Sequence, residues 1–337
     1  MRNVAIHGQK NRPAPTRGQK TDPPLLNKAL QVSRQRLAAC TDTTGLDAQV
    51  LLAFILDKPR PWVMAHPEAS LSQLQSQALE SALERLEHGE PLPYVLGHWD
   101  FFGLDFIVTS DVLIPRPETE LLVELALDWL REHPNRRWAV DVGTGSGCIA
   151  ISLAANIPDL RLLAVDISRP ALRVARLNAE QHVVADRVVC LQSDLLSALD
   201  EPFDLICANL PYVPFGYHFE ARKTVKSPGR QPQEPEERGI PRFTRIDMNE
   251  NTWLSHEPHQ ALYAGPEGLS LIRRLVRDAS RFLAPGGVLL MEIEASQGKT
   301  VNDLVQQSLP TAQVKTFPDL AGHDRVVFVQ TIETTDK

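Results

Sequence analysis

An asparagine leaves a buried apolar run and is followed at once by a leucine, a proline and a tyrosine: Phe203-Asp204-Leu205-Ile206-Cys207-Ala208 passes into Asn209-Leu210-Pro211-Tyr212. These residue types suit one task. The Asn209 side chain offers a carbonyl acceptor and the Leu210 backbone carbonyl a second, while Pro211 shapes the turn that aims it and Tyr212 offers a flat face. Two acceptors and a flat wall fit an –NH2 group attached to a planar π system. The lone pair of such a nitrogen is delocalised and weakly nucleophilic. Accepting both of its hydrogens favours the geometry in which the lone pair points at an electrophile. Catalysis there is mostly positioning for in-line displacement, with dipoles stabilising the charge that develops on nitrogen. That chemistry requires no metal.

A second constellation lies upstream. Asp141 and Val142 lead into Gly143-Thr144-Gly145-Ser146-Gly147, which follows an apolar strand and opens a helix. Alternate glycines let the backbone turn tightly and approach a ligand, and the helix start adds unpaired N–H groups. The pattern is G-x-G-x-G; Cys148 stands where a dinucleotide fingerprint needs its last glycine. Asp166 ends the next strand, where a carboxylate can accept from a ribose diol. Asp194 ends the strand after that, where it either accepts from an adenine amino group or caps the following turn. Leu195 beside it can cover the adenine face. Three strand ends aimed at one crevice indicate a nucleoside-type cofactor, and the electrophile that suits the clamp is a sulfonium methyl group.

Strands and helices must position these residues. From about residue 117, helical periods at 118–131, 148–156, 170–182, 267–283 and 297–308 alternate with strands at 138–142, 160–165, 188–192, 203–208 and 287–293. Such alternation makes an α/β fold with a parallel sheet covered on both faces. Two final strands, near 312–317 and 325–331 with no helix between them, imply an antiparallel C-terminal edge. Upstream, residues 25–88 carry helical periodicity, with Pro59 and Pro61 stopping the second helix and Ser70 capping the third. Residues 89–116 read as an extended aromatic linker with a β-hairpin. Residues 1–24 read as a disordered tail, and 214–252 as an insertion in the domain that spans 117–337.

Composition narrows the partner. Apolar residues make up 43% of 337, enough for a sizeable core, and the formal net charge of −7 leans away from naked nucleic acid. Cys40, Cys148, Cys190 and Cys207 are scattered without metal spacing, as buried thiols of a reducing compartment are. No stretch approaches a membrane span and the N-terminus lacks an apolar signal core, so a cytoplasmic location is expected.

The glycine loop, Asp166 and the Asn-x-Pro-Tyr run together resemble class I methyltransferases that act on amino nitrogens. More specific runs resemble the HemK/PrmC family of protein-glutamine methyltransferases: Pro93-Tyr94-Val95-Leu96-Gly97-His98, Leu113-Ile114-Pro115-Arg116-Pro117-Glu118-Thr119-Glu120, Glu257-Pro258 with Gly265 and Gly268, and Asp319-Leu320-Ala321-Gly322 with Asp324-Arg325. The resemblance spans about 25–331. It implies a Rossmann-like seven-stranded sheet preceded by a small helical bundle that helps hold a protein substrate. It also implies S-adenosylmethionine as cofactor, touched by Gly143 to Gly147, Asp166, Leu195 and Asn209. The implied substrate is the glutamine of the Gly-Gly-Gln motif in peptide chain release factors, its amide held by Asn209 to Tyr212, with Arg116 and Glu118 at the pocket mouth. A sister branch of the family modifies a large-subunit ribosomal protein. Two features depart from the family pattern. Leu210 stands where the family usually has a first proline, and Asn-Leu-Pro-Tyr is similar to the motif of rRNA adenine dimethylases. The insertion is also longer than usual and lies beside the substrate pocket.

Overall fold

The computed structural model describes residues 24–215 and 255–333. All but the last residue of the expected tail, and all but the first residues of the expected insertion, lie outside them.

Four helices, Leu26–Leu37, Thr44–Leu56, Arg60–Ala65 and Gln73–Glu87, pack around Leu26, Leu30, Leu51, Leu52, Leu79 and Leu83. The last begins at Ser72, not Ser70: Ser72 and Gln75 exchange side-chain and backbone bonds in a capping box. Pro59 and Pro61 do not simply end a helix. Pro61 sits in the first turn of the short Arg60–Ala65 helix, where a missing N–H costs nothing. Leu92–Leu96, read as extended from its prolines, is one helical turn with every residue buried, closed by Gly97 at φ 80°. A run that must bury all its side chains against a helical bundle does so in a turn and not in a strand.

The hairpin is β1 His98–Phe101 and β2 Leu104–Ile107. Phe102 and Gly103 turn it with φ of 52° and 72°, the twist that two-residue hairpins demand.

The main sheet comprises β3 Trp138–Val142, β4 Arg161–Asp166, β5 Val188–Gln192, β6 Phe203–Ala208, β7 Leu283–Glu292, β8 Gln313–Pro318 and β9 Asp324–Gln330, in the order β5-β4-β3-β6-β7-β9-β8. Neighbouring pairs are parallel until β9, which runs antiparallel to both β7 and β8. The C-terminal antiparallel edge expected from the sequence is therefore present, with β9 inserted and β8 outermost. Period-two alternation sorts β3 between two cores. Ala139 packs beneath helices Glu120–Glu132 and Cys148–Asn156, whereas Val140 and Val142 pack beneath Ser270–Phe282 and Gly298–Ser308. The strand order reverses at β3, and the carboxyl ends of β3, β4 and β6 open there into one crevice.

Candidate active site

The glycine loop is fastened to the neighbouring strand. Gly143 and Thr144 donate their N–H groups to the Val165 carbonyl at 2.8 and 3.0 Å. Gly143, Gly145 and Gly147 take φ of 75°, 55° and 84°, a conformation in which any other side chain is strained. A Cβ on Gly143 would press to 3.0 Å from Leu210 Cδ2, whereas one on Gly145 would meet nothing within 4 Å. The loop thus leans on the Asn209 segment at its start and faces open space at its middle.

Two acids hold the loop in shape. Asp141, fully buried, accepts from Thr144 Oγ1 at 2.6 Å and from the Ala150 N–H at 3.3 Å, and burial pushes its carboxyl up to about 7. Asp166 accepts from the Gly145 N–H at 3.0 Å and the Ser168 N–H at 2.8 Å. Burial raises its carboxyl too, while those backbone bonds oppose the shift. A carboxylate has about four lone-pair sites, so Asp166 retains acceptor capacity toward the crevice after serving the loop.

The crevice is a cavity of about 340 Å3 walled by the loop residues Gly143 to Ser146, by Asp166, Asp194, Leu195, Asn209, Leu210 and Pro211, and by Thr119, Arg116 and Tyr263. Strand ends therefore bring together nearly all the residues singled out from the sequence. Three placements differ in detail. Gly147 lies behind the wall, where its Cβ would meet Ile151 and Ala175. Asp194 forms an ion pair at 2.8 Å with Arg274 of helix Ser270–Phe282, and its backbone carbonyl accepts from Ser197. Tyr212 is half-buried and is not part of that wall, to which Tyr263 contributes an aromatic ring.

The Asn209 segment is locked by its neighbours. Val213 donates to the Leu262 carbonyl and accepts from the Ala264 N–H, both at 2.9 Å. Gln297 Nε2 reaches the carbonyls of Tyr212 and Gly268, each at 3.4 Å. Gly268, at φ 70°, lies so close that a Cβ there would stand 2.0 Å from the Tyr212 oxygen. Leu210 is buried in the core that holds Val140, Val142 and Leu195, so packing supplies the restraint that a proline ring would otherwise give.

Asn209 itself is oriented from behind. Its Nδ2 donates to Thr119 Oγ1 at 3.0 Å, and that hydroxyl donates to Glu292 Oε2 at 2.7 Å. Thr119 and Glu292 are both buried, and burial lifts the Glu292 carboxyl to about 7 against the opposing pull of Thr119 and Arg325. Arg325 is held by Asp319 at 3.0 Å. Arg116 pairs with buried Glu257 at 2.7 Å, and Glu257 also accepts from the Ile114 N–H at 3.1 Å, pinning the segment before Thr119. The strand ends singled out from the sequence leave out Thr119, Glu257 and Arg274, and also Glu292, which closes β7. Only the Pro115–Glu120, Glu257-Pro258 and Asp319–Arg325 runs marked that neighbourhood.

Residues 28–97 match the family model described as PrmC N-terminal domain, and residues 118–222 match that described as Methyltransferase small domain. The chain is 37% identical to a release factor glutamine methyltransferase of Koribacter versatilis, over 86% of this chain and 92% of that one. It is 38% identical to the release factor glutamine methyltransferase of Moorella thermoacetica, over 89% and 96% respectively. A solved release-factor-specific protein-(glutamine-N5) methyltransferase from Alicyclobacillus acidocaldarius is 26% identical, covering 67% of this chain and 99% of that one, with a TM-score of 0.36.

Proposed function

Since the chain belongs to the release factor glutamine methyltransferase family, we propose that it transfers a methyl group from S-adenosylmethionine to the side-chain amide nitrogen of the glutamine in the Gly-Gly-Gln motif of a peptide chain release factor. The observation that carries this reading is the orientation of Asn209. Its NH2 is spent on Thr119, which leaves Oδ1 as the end available to the cavity that the glycine loop also lines.

The residues present suit S-adenosylmethionine. The open space beyond Gly145 admits a ligand against the backbone, Asp166 retains acceptor capacity for a ribose diol, and Leu195 lines the wall at φ 52° beside Asp194. When bound, the cofactor supplies an electrophilic methyl on a sulfonium. The protein's part is positional. Asn209 Oδ1 and the Leu210 carbonyl accept the two amide hydrogens, hold the nitrogen in line and stabilise the positive charge that develops on it. Pro211 and the bonds at Val213 keep those acceptors from drifting. Tyr212 acts through its backbone, which anchors the segment against Gly268 and Gln297.

The domain limits read from the sequence enter as part of the proposal: a helical recognition domain over 25–88, a linker over 89–116 and the catalytic domain from 117. Among the described residues no helix is long and apolar enough to cross a membrane, and a release-factor substrate places the enzyme in the cytoplasm. The test is methyl transfer from radiolabelled S-adenosylmethionine to purified release factor, with a Gln→Ala control at its Gly-Gly-Gln motif. Label present on the factor and lost in the control is expected. Label absent from the factor and present on a ribosomal protein or on rRNA would overturn the substrate, and label on rRNA adenine would agree with the Asn-Leu-Pro-Tyr resemblance to adenine dimethylases.

A further inference from the structure

An asparagine amide has two ends of similar size and opposite hydrogen-bonding character, and only one of them can accept from a substrate –NH2. Shape alone does not decide which end faces the cavity. Something behind the side chain must distinguish them.

We propose that Thr119 and Glu292 are positioning residues that together hold the Asn209 amide with Oδ1 toward the substrate. This rests on the reading of Asn209 as the acceptor for the glutamine amide. Three elements remote in sequence meet to make the contact: the turn Pro117–Thr119, the end of β6 and the end of β7. The two bonds, 3.0 and 2.7 Å, lie where water does not compete, since Thr119 is 2% and Glu292 1% exposed.

The polarity follows from the far end. The selection belongs to the ionised form: a carboxylate only accepts, so above about pH 7 the single Thr119 hydrogen is committed to Glu292, whereas protonated Glu292 can itself donate. The Thr119 oxygen then has only lone pairs left to offer, and these accept the Asn209 NH2. A flipped Asn209 would set its carbonyl oxygen against that lone pair, with no hydrogen between them. The carboxylate thereby selects the amide orientation two bonds away. Arg325 of β9 lies near enough to favour the charged form of Glu292, and Asp319 fixes Arg325. Thr119 and Arg325 are the members of two sequence runs whose part was otherwise unexplained.

The test compares Thr119→Val, which keeps the shape and removes the hydroxyl, with Thr119→Ser, which keeps the hydroxyl, and with Glu292→Gln. Each variant is the full chain, assayed with release factor for kcat and KM separately and with S-adenosylmethionine alone for Kd. Thr119→Val should lower kcat roughly 30-fold or more, as loss of one preorganised group in an active site does, with cofactor Kd within twofold of wild type. Thr119→Ser should stay within threefold of wild type. Glu292→Gln, whose neutral carbonyl accepts more weakly, should fall between them. Thr119→Val within threefold of wild type, or Thr119→Ser falling as far as Thr119→Val, would overturn the assignment. Proton exchange at the labelled Asn209 side-chain amide reads the contact without any substrate. The hydrogen donated to Thr119 should be protected in wild type and Thr119→Ser and exposed in Thr119→Val; equal protection in all three overturns it as well. A wild type inactive on release factor but showing that exchange pattern would instead strike at the proposed substrate.

Discussion

Gly268→Ala is the sharpest single perturbation of the catalytic segment, because the residue touches no reacting group. A Cβ there would stand 2.0 Å from the Tyr212 oxygen and 2.9 Å from its carbonyl carbon, against 3.4 Å for ordinary contact. The two backbones must therefore separate by about 1.4 Å, the difference between the oxygen contact and the ordinary one. Gln297 bridges the Tyr212 and Gly268 carbonyls, and Val213 is bonded to Leu262 and Ala264, so the retreat is passed along the chain to Asn209. A misplacement on the order of 1 Å at a reacting centre costs about a hundredfold in rate. The left-handed backbone at φ 70° adds roughly 1–2 kcal/mol of instability. Gly97→Ala is the matched control: it carries φ 80° with nothing within 4 Å of its Cβ, so it bears the backbone penalty without the collision. Steady-state methylation of release factor should show kcat about 100-fold lower in Gly268→Ala and near wild type in Gly97→Ala. Gly97→Ala should lose a few degrees in Tm and Gly268→Ala more, since it adds the backbone collision, while cofactor Kd should change little because the glycine loop is fastened to β4. A Gly268→Ala enzyme with kcat within threefold of its Gly97→Ala counterpart would refute the idea that close backbone approach places Asn209.

Asn209→Ala should cut kcat roughly 100- to 1,000-fold while calorimetric binding of S-adenosylmethionine largely survives; near-normal turnover would sink the assigned mechanism. Asp166→Ala should weaken cofactor binding by roughly 10- to 100-fold, since it loses charge-assisted bonds to the loop as well as any to the ribose, and an unchanged Kd would refute both roles. Asp141→Asn should uncover a pH-dependent cost. With the folded carboxyl near 7 and the unfolded one near 3.8, the native state holds a proton that the unfolded chain has released between those values. Wild-type stability relative to the variant should thus decline as pH rises from 4 to 7, by up to about 1.4 kcal/mol per pH unit, and level off above 7. Denaturant titrations that show a constant difference over that range would contradict the burial argument.

What was legible in the sequence is what local pattern carries. Gly143 to Gly147, Asp166, Asp194 and Asn209 stand at the ends of apolar runs, and a parallel sheet gathers such ends at one edge without further information. The antiparallel edge could be read from two strands with no helix between them. Partners separated by long stretches of chain were not legible: Thr119 with Glu292 are 173 residues apart and Ile114 with Glu257 are 143 apart, and no periodicity links them. The flat-face reading of Tyr212 follows from its residue type alone. The backbone contact between Tyr212 and Gly268 is invisible until the fold brings 212 and 268 together. Pro93 misled in the opposite direction, since the same residue that breaks helices elsewhere starts the Leu92–Leu96 turn.

The placement of β9 between β7 and β8 makes the outermost strand depend on the one that follows it in the chain. β8 joins the sheet only through β9, which docks on β7. Arg325, the cation beside Glu292, is carried on that same strand. The glycine loop, by contrast, is fastened to β4, so the cofactor crevice and the support behind Asn209 rest on different parts of the sheet, and the second depends on the insertion of one strand.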